Sequence, residues 1–294
     1  MTHSHQPGTH TSDLHQHQHQ HQHQHDDSGQ AEILDLDAEV LAEHIAGITG
    51  SLPLAAAPRQ IVDLGCGTGA GTFALLERFP EAHVTAVDTS TGHLKLLTDR
   101  ACAEGVQDRV RTVQADLDAA DWPELGAPDL VWASASMHHM ADPADALAKV
   151  HELLPPGGLF AVVELDGFPR FLPADAPAER PGLEERCHRA TDSFHAEHVP
   201  HRGADWGPML SAAGFTVEDT RTIAVNIEGN RSEAIGRYAL GSLQRLRNAA
   251  APGLDPADVI ALDALLDAMS PNSILRRTDL AVRTTRTVWA ARRP

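Results

Sequence analysis

The stretch Ile61-Val62-Asp63-Leu64-Gly65-Cys66-Gly67-Thr68-Gly69-Ala70-Gly71-Thr72 carries the clearest chemical signal in the chain. A short run of Ile, Val and Leu predicts a buried strand, and alternating glycines then break it. Phe73, Leu76 and Phe79 recur at helical spacing until Pro80 ends the pattern. Glycine at such a turn permits φ > 0, and the missing Cβ lets the backbone approach a ligand lying across the helix N-terminus. Asp88 closes a second predicted strand over 83–87, 19 residues after Gly69. At that distance a carboxylate emerges beside the turn and can accept both hydroxyls of a ribose. A nucleoside ligand follows from these features, and two cofactors satisfy it. The pattern Gly65-x-Gly67-x-x-Ala70 also fits the dinucleotide fingerprint.

Asp63 inside the first strand, followed by Gly65, Gly67 and Gly69 in strict alternation, closely resembles the first motif of class I S-adenosylmethionine (SAM) dependent methyltransferases. The resemblance implies that Gly65, Cys66, Gly67 and Gly69 pass under the amino-acid end of SAM, with Asp63 helping to hold its ammonium. Asp88 and Thr89 then belong to the ribose. A third strand, Val110 to Gln114, leads to Asp116 and Leu117, which in this family face the adenine amino group and pack on its ring. The fourth strand ends at Ser134, assigned to the cofactor as well, and runs into Met137-His138-His139-Met140. An Asp142-Pro143 helix, a Pro155-Pro156-Gly157-Gly158 stop and a fifth strand, Leu159 to Glu164, complete a series that resembles the small-molecule branch of the family, including quinone and natural-product methyltransferases. The turn after the fourth strand faces the methyl group in that family, and histidine titrates near neutral pH. His139, with His138 second, is therefore the candidate general base.

The positioning elements imply an α/β fold, a Rossmann-like seven-stranded sheet with helices on both faces and a helical cap. Residues 1–30 form a tail in which His15 to His25 alternate with Gln. It has almost nothing to bury, so disorder and at most loose divalent metal binding are expected. Residues 31–60 carry a helix over 31–50, 61–165 the SAM-binding core, and 166–203 a lid-like insertion whose His188, His195, His198 and His201 read as solvent-facing. Residues 204–294 finish the sheet, with inserted helices over 231–270. The last strand is expected over 286–291, antiparallel beside the sixth. The arginines at 276, 277, 283, 286, 292 and 293 read as the solvated face of an edge strand.

Composition narrows the partners. With 23 Lys and Arg against 41 Asp and Glu, the formal charge is −18, a mean field that works against an extended phosphate backbone. Small molecules are the expected acceptors, and no nucleic acid. No apolar run approaches the roughly 20 residues a membrane helix needs, and the N-terminus lacks a signal core, so a cytoplasmic protein without a membrane partner is expected. Cys66, Cys102 and Cys187 are odd in number and form no cluster motif, which argues against disulfides and radical SAM chemistry. There is no (Asn/Asp)-Pro-Pro-aromatic motif and no Pro-Cys nucleophile, disfavouring methylation of nucleic-acid amino groups and of cytosine C5. An NAD(P)-dependent oxidoreductase remains an alternative, although the single tyrosine, Tyr238, has Ser242 rather than Lys four residues on. A SAM-binding protein without turnover and a metal-handling protein are the others.

Overall fold

The computed structural model describes residues 29–229 and 232–294, so the repetitive His/Gln tract and its expected metal binding lie outside the described residues. Seven strands form one sheet: β1 (Gln60–Leu64), β2 (His83–Asp88), β3 (Val110–Gln114), β4 (Leu130–Ser134), β5 (Leu159–Leu165), β6 (Thr216–Glu228) and β7 (Ala281–Arg292). Their order across the sheet is β3-β2-β1-β4-β5-β7-β6. The first five are parallel, and β7 runs antiparallel to both β5 and β6. The expected reversed final strand is therefore present, longer than 286–291, and it lies between its neighbours rather than at an edge.

The central strands have to be apolar on both faces, because helices cover both. Leu130 and Trp132 of β4 face one core with Ile61 of β1, whereas Val131 and Ala133 face the other with Val62 and Leu64. The period of two in side-chain direction thus turns a continuous apolar run into two cores. Helices α3 (Ala70–Arg78), α4 (Thr91–Ala103) and α5 (Pro143–Leu153) make the parallel crossovers. Asp142 caps α5 by accepting from the amides of Ala144 and Asp145, with Pro143 in the first turn, as its sequence predicts.

The segment expected to be one helix over 31–50 is two: α1 (29–40) and α2 (Ala42–Gly50), separated at Leu41. Leu36 of α1 joins a third core built with α6 (Leu183–His198), α8 (Glu233–Ala250) and α9 (Pro256–Leu266), while α7 (Trp206–Ala212) packs under the sheet. The insertion after β5 is thus more than a loop. Leu183 and Cys187 of α6 are fully buried, and His188 is only 7% exposed, which corrects its reading as a solvent-facing residue: it lies on the inner face of α6. Among the described residues no helix is long and apolar enough to cross a membrane.

One ion pair ties α1 to the sheet. Asp37 of α1 accepts from Arg286 Nη2 of β7 at 2.6 and 2.8 Å, and from the Tyr238 hydroxyl of α8 at 2.6 Å. The reading of Arg286 as part of a solvated edge is corrected here: β5 and β6 flank β7, and Arg286 is 5% exposed. Removing one partner of a buried pair strands the other charge, whereas removing one neutral hydrogen bond costs far less. Asp37→Ala is expected to lower stability by about 3–5 kcal/mol, and Tyr238→Phe by about 1 kcal/mol. Urea unfolding of both variants checks the order, and equal losses would contradict the assignment of Asp37 as the hub.

Candidate active site

At the carboxyl ends of β1, β2, β3 and β4 lies a cavity of about 450 Å³. Its floor is the turn after β1. Gly65 and Gly67 have φ of 67° and 52°, and Gly69, at 100°, sits at the N-cap of α3. A Cβ on Gly65 would fall 2.4 Å from Ser136 Cβ, and one on Gly71 would fall 2.5 Å from Trp132 Nε1. Backbone alone fits there. Leu34 of α1 lies across the turn, within 3.2 Å of where a Gly67 Cβ would stand.

Asp63 is 2% exposed and its Oδ2 accepts from Thr72 Oγ1 at 2.7 Å. Burial, opposed by that hydrogen bond and reinforced by the charge of Asp88, pushes its pKa up to about 7. Asp88 behaves oppositely. Burial works against its charge too, but hydrogen bonding from His93 and from the amides of Ser90 and Gly67 overcomes that, holding the carboxyl below the usual range. Ser90 and His93 face Oδ1 and the Gly67 amide takes one site on Oδ2, so Oδ2 keeps a lone pair to offer a hydroxyl. Asp116 is exposed at the rim and accepts from the Asp118 amide at 2.9 Å, while Leu117 beside it is buried. Burial holds the Cys66 thiol well above its ordinary pKa, so it stays protonated and serves as turn backbone rather than nucleophile.

Asp63, Gly65, Cys66, Gly67, Asp88, Thr89, Asp116, Leu117, Ser134 and His139 all line this one cavity. Gly69 and His138 do not. Gly69 acts through the conformation of the helix start, and His138 is 2% exposed beneath the cavity, its Nδ1 2.5 Å from Glu164 Oε2. The two adjacent histidines are thus divided, one buried on Glu164 and one open to the cavity. Burial, with the charges of His138 and Arg202, brings the pKa of His139 down to about 4. Sequence reasoning missed Trp132 on β4, Gln30, Leu34 and Asp37 on α1, and Arg286 on β7 as lining residues. Periodicity marks Trp132 as a strand residue; nothing local marks the other four.

Residues 61–158 match the family model described as a methyltransferase domain. A trans-aconitate 2-methyltransferase of Acidovorax ebreus is 30% identical over 217 residues, covering 72% of this chain and 76% of that protein. A 27-O-demethylrifamycin SV methyltransferase of Amycolatopsis mediterranei is 32% identical over 200 residues, covering 64% of this chain and 69% of that one. The chain belongs to the class I SAM-dependent methyltransferases. A Bacillus halodurans structure aligns with a TM-score of 0.53 at 18% identity, over 85% of this chain and 98% of that one, and shows the same fold. The methyltransferase takes SAM as its methyl donor and a small molecule as acceptor, in place of the oxidoreductase and non-catalytic alternatives.

The cavity fits that donor. Asp63 is a buried carboxyl beside a turn that only backbone can occupy, with a pKa high enough that half its charge is lost at neutral pH. A cationic ammonium would restore the charge, so binding and deprotonation of Asp63 are linked. SAM affinity is expected to fall as pH drops below about 7, approaching tenfold per pH unit, and to fall again at alkaline pH as the SAM ammonium itself loses its proton. Calorimetry across this range checks it. Asp63→Asn should bind at least tenfold more weakly at pH 8 and lose the dependence below pH 7; a variant that keeps that slope would show that another group titrates.

Proposed function

We propose that this methyltransferase esterifies a small carboxylic acid, and that the cavity residues divide the cofactor among them. In this reading Asp63 takes the ammonium, Asp88 with Thr89 the ribose, and Asp116 with Leu117 the adenine. Gly65, Cys66 and Gly67 pass beneath the amino-acid end, and Ser134 closes the side towards the acceptor. When bound, the cofactor supplies a methyl group already activated on a sulfonium. What is left to the protein is alignment, exclusion of water and, for some acceptors, removal of a proton.

The low pKa of His139 carries the choice of acceptor. It is the histidine open to the cavity, and at about 4 it is neutral but a very weak base at physiological pH. A phenol or an ammonium gives up its proton near pKa 10, so transfer to a histidine held below its ordinary pKa would be uphill. A carboxylic acid is ionised at neutral pH without help. Its oxygen lone pair forms the new bond to the methyl carbon while the pair of the breaking carbon–sulfur bond stays on sulfur, and opposite charges disappear together. A step in which opposite charges are lost needs no proton acceptor from the protein. The name of the Acidovorax relative, a methyltransferase of trans-aconitate, agrees with an organic acid as acceptor.

The test is to supply methyl-labelled SAM with a panel of small acids, trans-aconitate among them, beside phenols and amines. A carboxylate ester releases labelled methanol in mild alkali, and that is the expected product. His139→Gln should keep kcat within about threefold, with a flat profile between pH 6 and 8 at saturating SAM. An alkali-stable product, or loss of turnover in the His139 variant, would replace the ester reading with base-assisted methylation.

A further inference from the structure

The floor of the cavity holds one hydrogen-bond donor to which no role has fallen so far. Trp132, Asp63 and Gly71 all line the cavity. Asp63 of β1 is the register partner of Trp132 of β4, and paired residues of adjacent strands stand on one face of a sheet. The carboxyl and the indole are therefore neighbours, on the side where Phe73, Leu75 and Leu76 of α3 pack. Trp132 is fully buried, and its Nε1 has no hydrogen-bond partner among the described residues. Asp63 draws its hydrogen bonding from Thr72.

Gly71 shows why the two groups come close. It stands in the first turn of α3 and is not one of the glycines with positive φ, so its backbone conformation does not ask for glycine. Glycine inside a helix is costly compared with alanine. What asks for it is space: a Cβ there would fall 2.5 Å from Trp132 Nε1 and 3.1 Å from Asp63 Oδ2. Donor and carboxyl flank one spot that only a missing side chain keeps open. An indole N–H can only donate, and a dry, unpaired donor is unfavourable. An ionised carboxylate accepts at about four sites, of which the Thr72 hydroxyl fills one. Hydrogen bonds to an ionised acceptor are also the stronger ones. A bond from the indole to Asp63 is thus worth most when a cation on the other side keeps the carboxylate charged.

We propose that Trp132 is a positioning residue for the methyl donor: its indole N–H closes onto the Asp63 carboxylate when the ammonium of SAM binds, so that Thr72, Trp132 and the ammonium together fix that carboxylate. The inference rests on the assignment of the ammonium to Asp63. The new bond needs no opening to solvent, because it forms between two side chains already packed together. It also holds the carboxylate from both sides, Thr72 on α3 and Trp132 on β4, which sets the direction in which its charge meets the ligand.

The probe is S-adenosylhomocysteine, which carries the same amino-acid end as SAM and cannot react, titrated by calorimetry at pH 8 into the full-length protein. Trp132→Phe is expected to bind it about tenfold more weakly or worse. Benzothienylalanine at position 132 keeps the bicyclic ring and puts sulfur in place of the N–H; it should lose as much, with thermal unfolding unchanged. Affinity for 5′-methylthioadenosine, the same nucleoside without the ammonium, should stay within about twofold of wild type. In turnover the KM for SAM should rise by about tenfold while kcat stays within about threefold. In an Asp63→Asn background the same changes at position 132 should cost less than about threefold, because the charged acceptor is gone. A benzothienylalanine protein that binds S-adenosylhomocysteine as wild type does, or losses that multiply in the double variant, overturns the proposal. Unchanged affinity in Asp63→Asn alone would remove the ammonium assignment itself, and the role of Trp132 with it.

Discussion

The site is organised around a carboxylate that the fold buries before it has a cation to meet. Asp63 lies inside β1, an interior strand between β2 and β4, under a turn that tolerates no side chain at Gly65 or Gly71. Ser136 from the end of β4 fills the space beside Gly65, and its hydroxyl donates to the Leu64 carbonyl at 2.8 Å, so two strand ends are locked together at the floor of the cavity. Thr72, on the first turn of α3, supplies a hydrogen bond to Asp63 but no charge. The result is a carboxyl held near neutrality in its pKa, an arrangement that costs folding free energy at high pH and is relieved by a bound cation. Function and stability are opposed at this residue, as is common where a site is built to meet a ligand.

The same cavity has a wall that does not belong to the core sheet pattern. Helix α1 brings Gln30, Leu34 and Asp37 to it, and the Asp37 pair with Arg286 decides where that wall stands. An apolar contact such as that of Leu34 on the glycine turn can slide by a fraction of an ångström with little loss. An ion pair with a shared tyrosine hydroxyl cannot, because its energy depends on direction and on each donor keeping its acceptor. Burying such a pair contributes little net stability, and its value lies in specifying one position for the helix.

Local signals and distant contacts explain what the sequence did and did not disclose. The glycine turn, Asp88 and Asp116 were legible because each follows directly from the strand that carries it, and parallel strands of similar length bring their ends to one edge. The alternation in Val131, Trp132 and Ala133 announced a strand covered on both faces. Arg286 was read as solvated because its neighbours 283, 292 and 293 share its type; only the insertion of β7 between β5 and β6 buries it. His138 and His139 are adjacent and chemically identical in the sequence. The short helical turn over Met137–His139 sends one down to Glu164 and leaves the other open, a difference of side-chain direction that spacing does not encode.

Carboxylates outnumber cations around the cavity. Carboxylates Asp63, Asp88 and Asp116 stand at the glycine end, and the Arg286–Asp37 ion pair stands in the wall built by β7 and α1. A cationic donor is drawn towards a protein of strong negative charge over distances of about a Debye length, roughly 8 Å at physiological salt, whereas an anionic acceptor is repelled. A bound sulfonium would add positive charge there and lower the barrier for the anion. On the ester reading, the field therefore favours donor before acceptor, and once the methyl has moved, both attractions at the reacting centre vanish with the charges that made them.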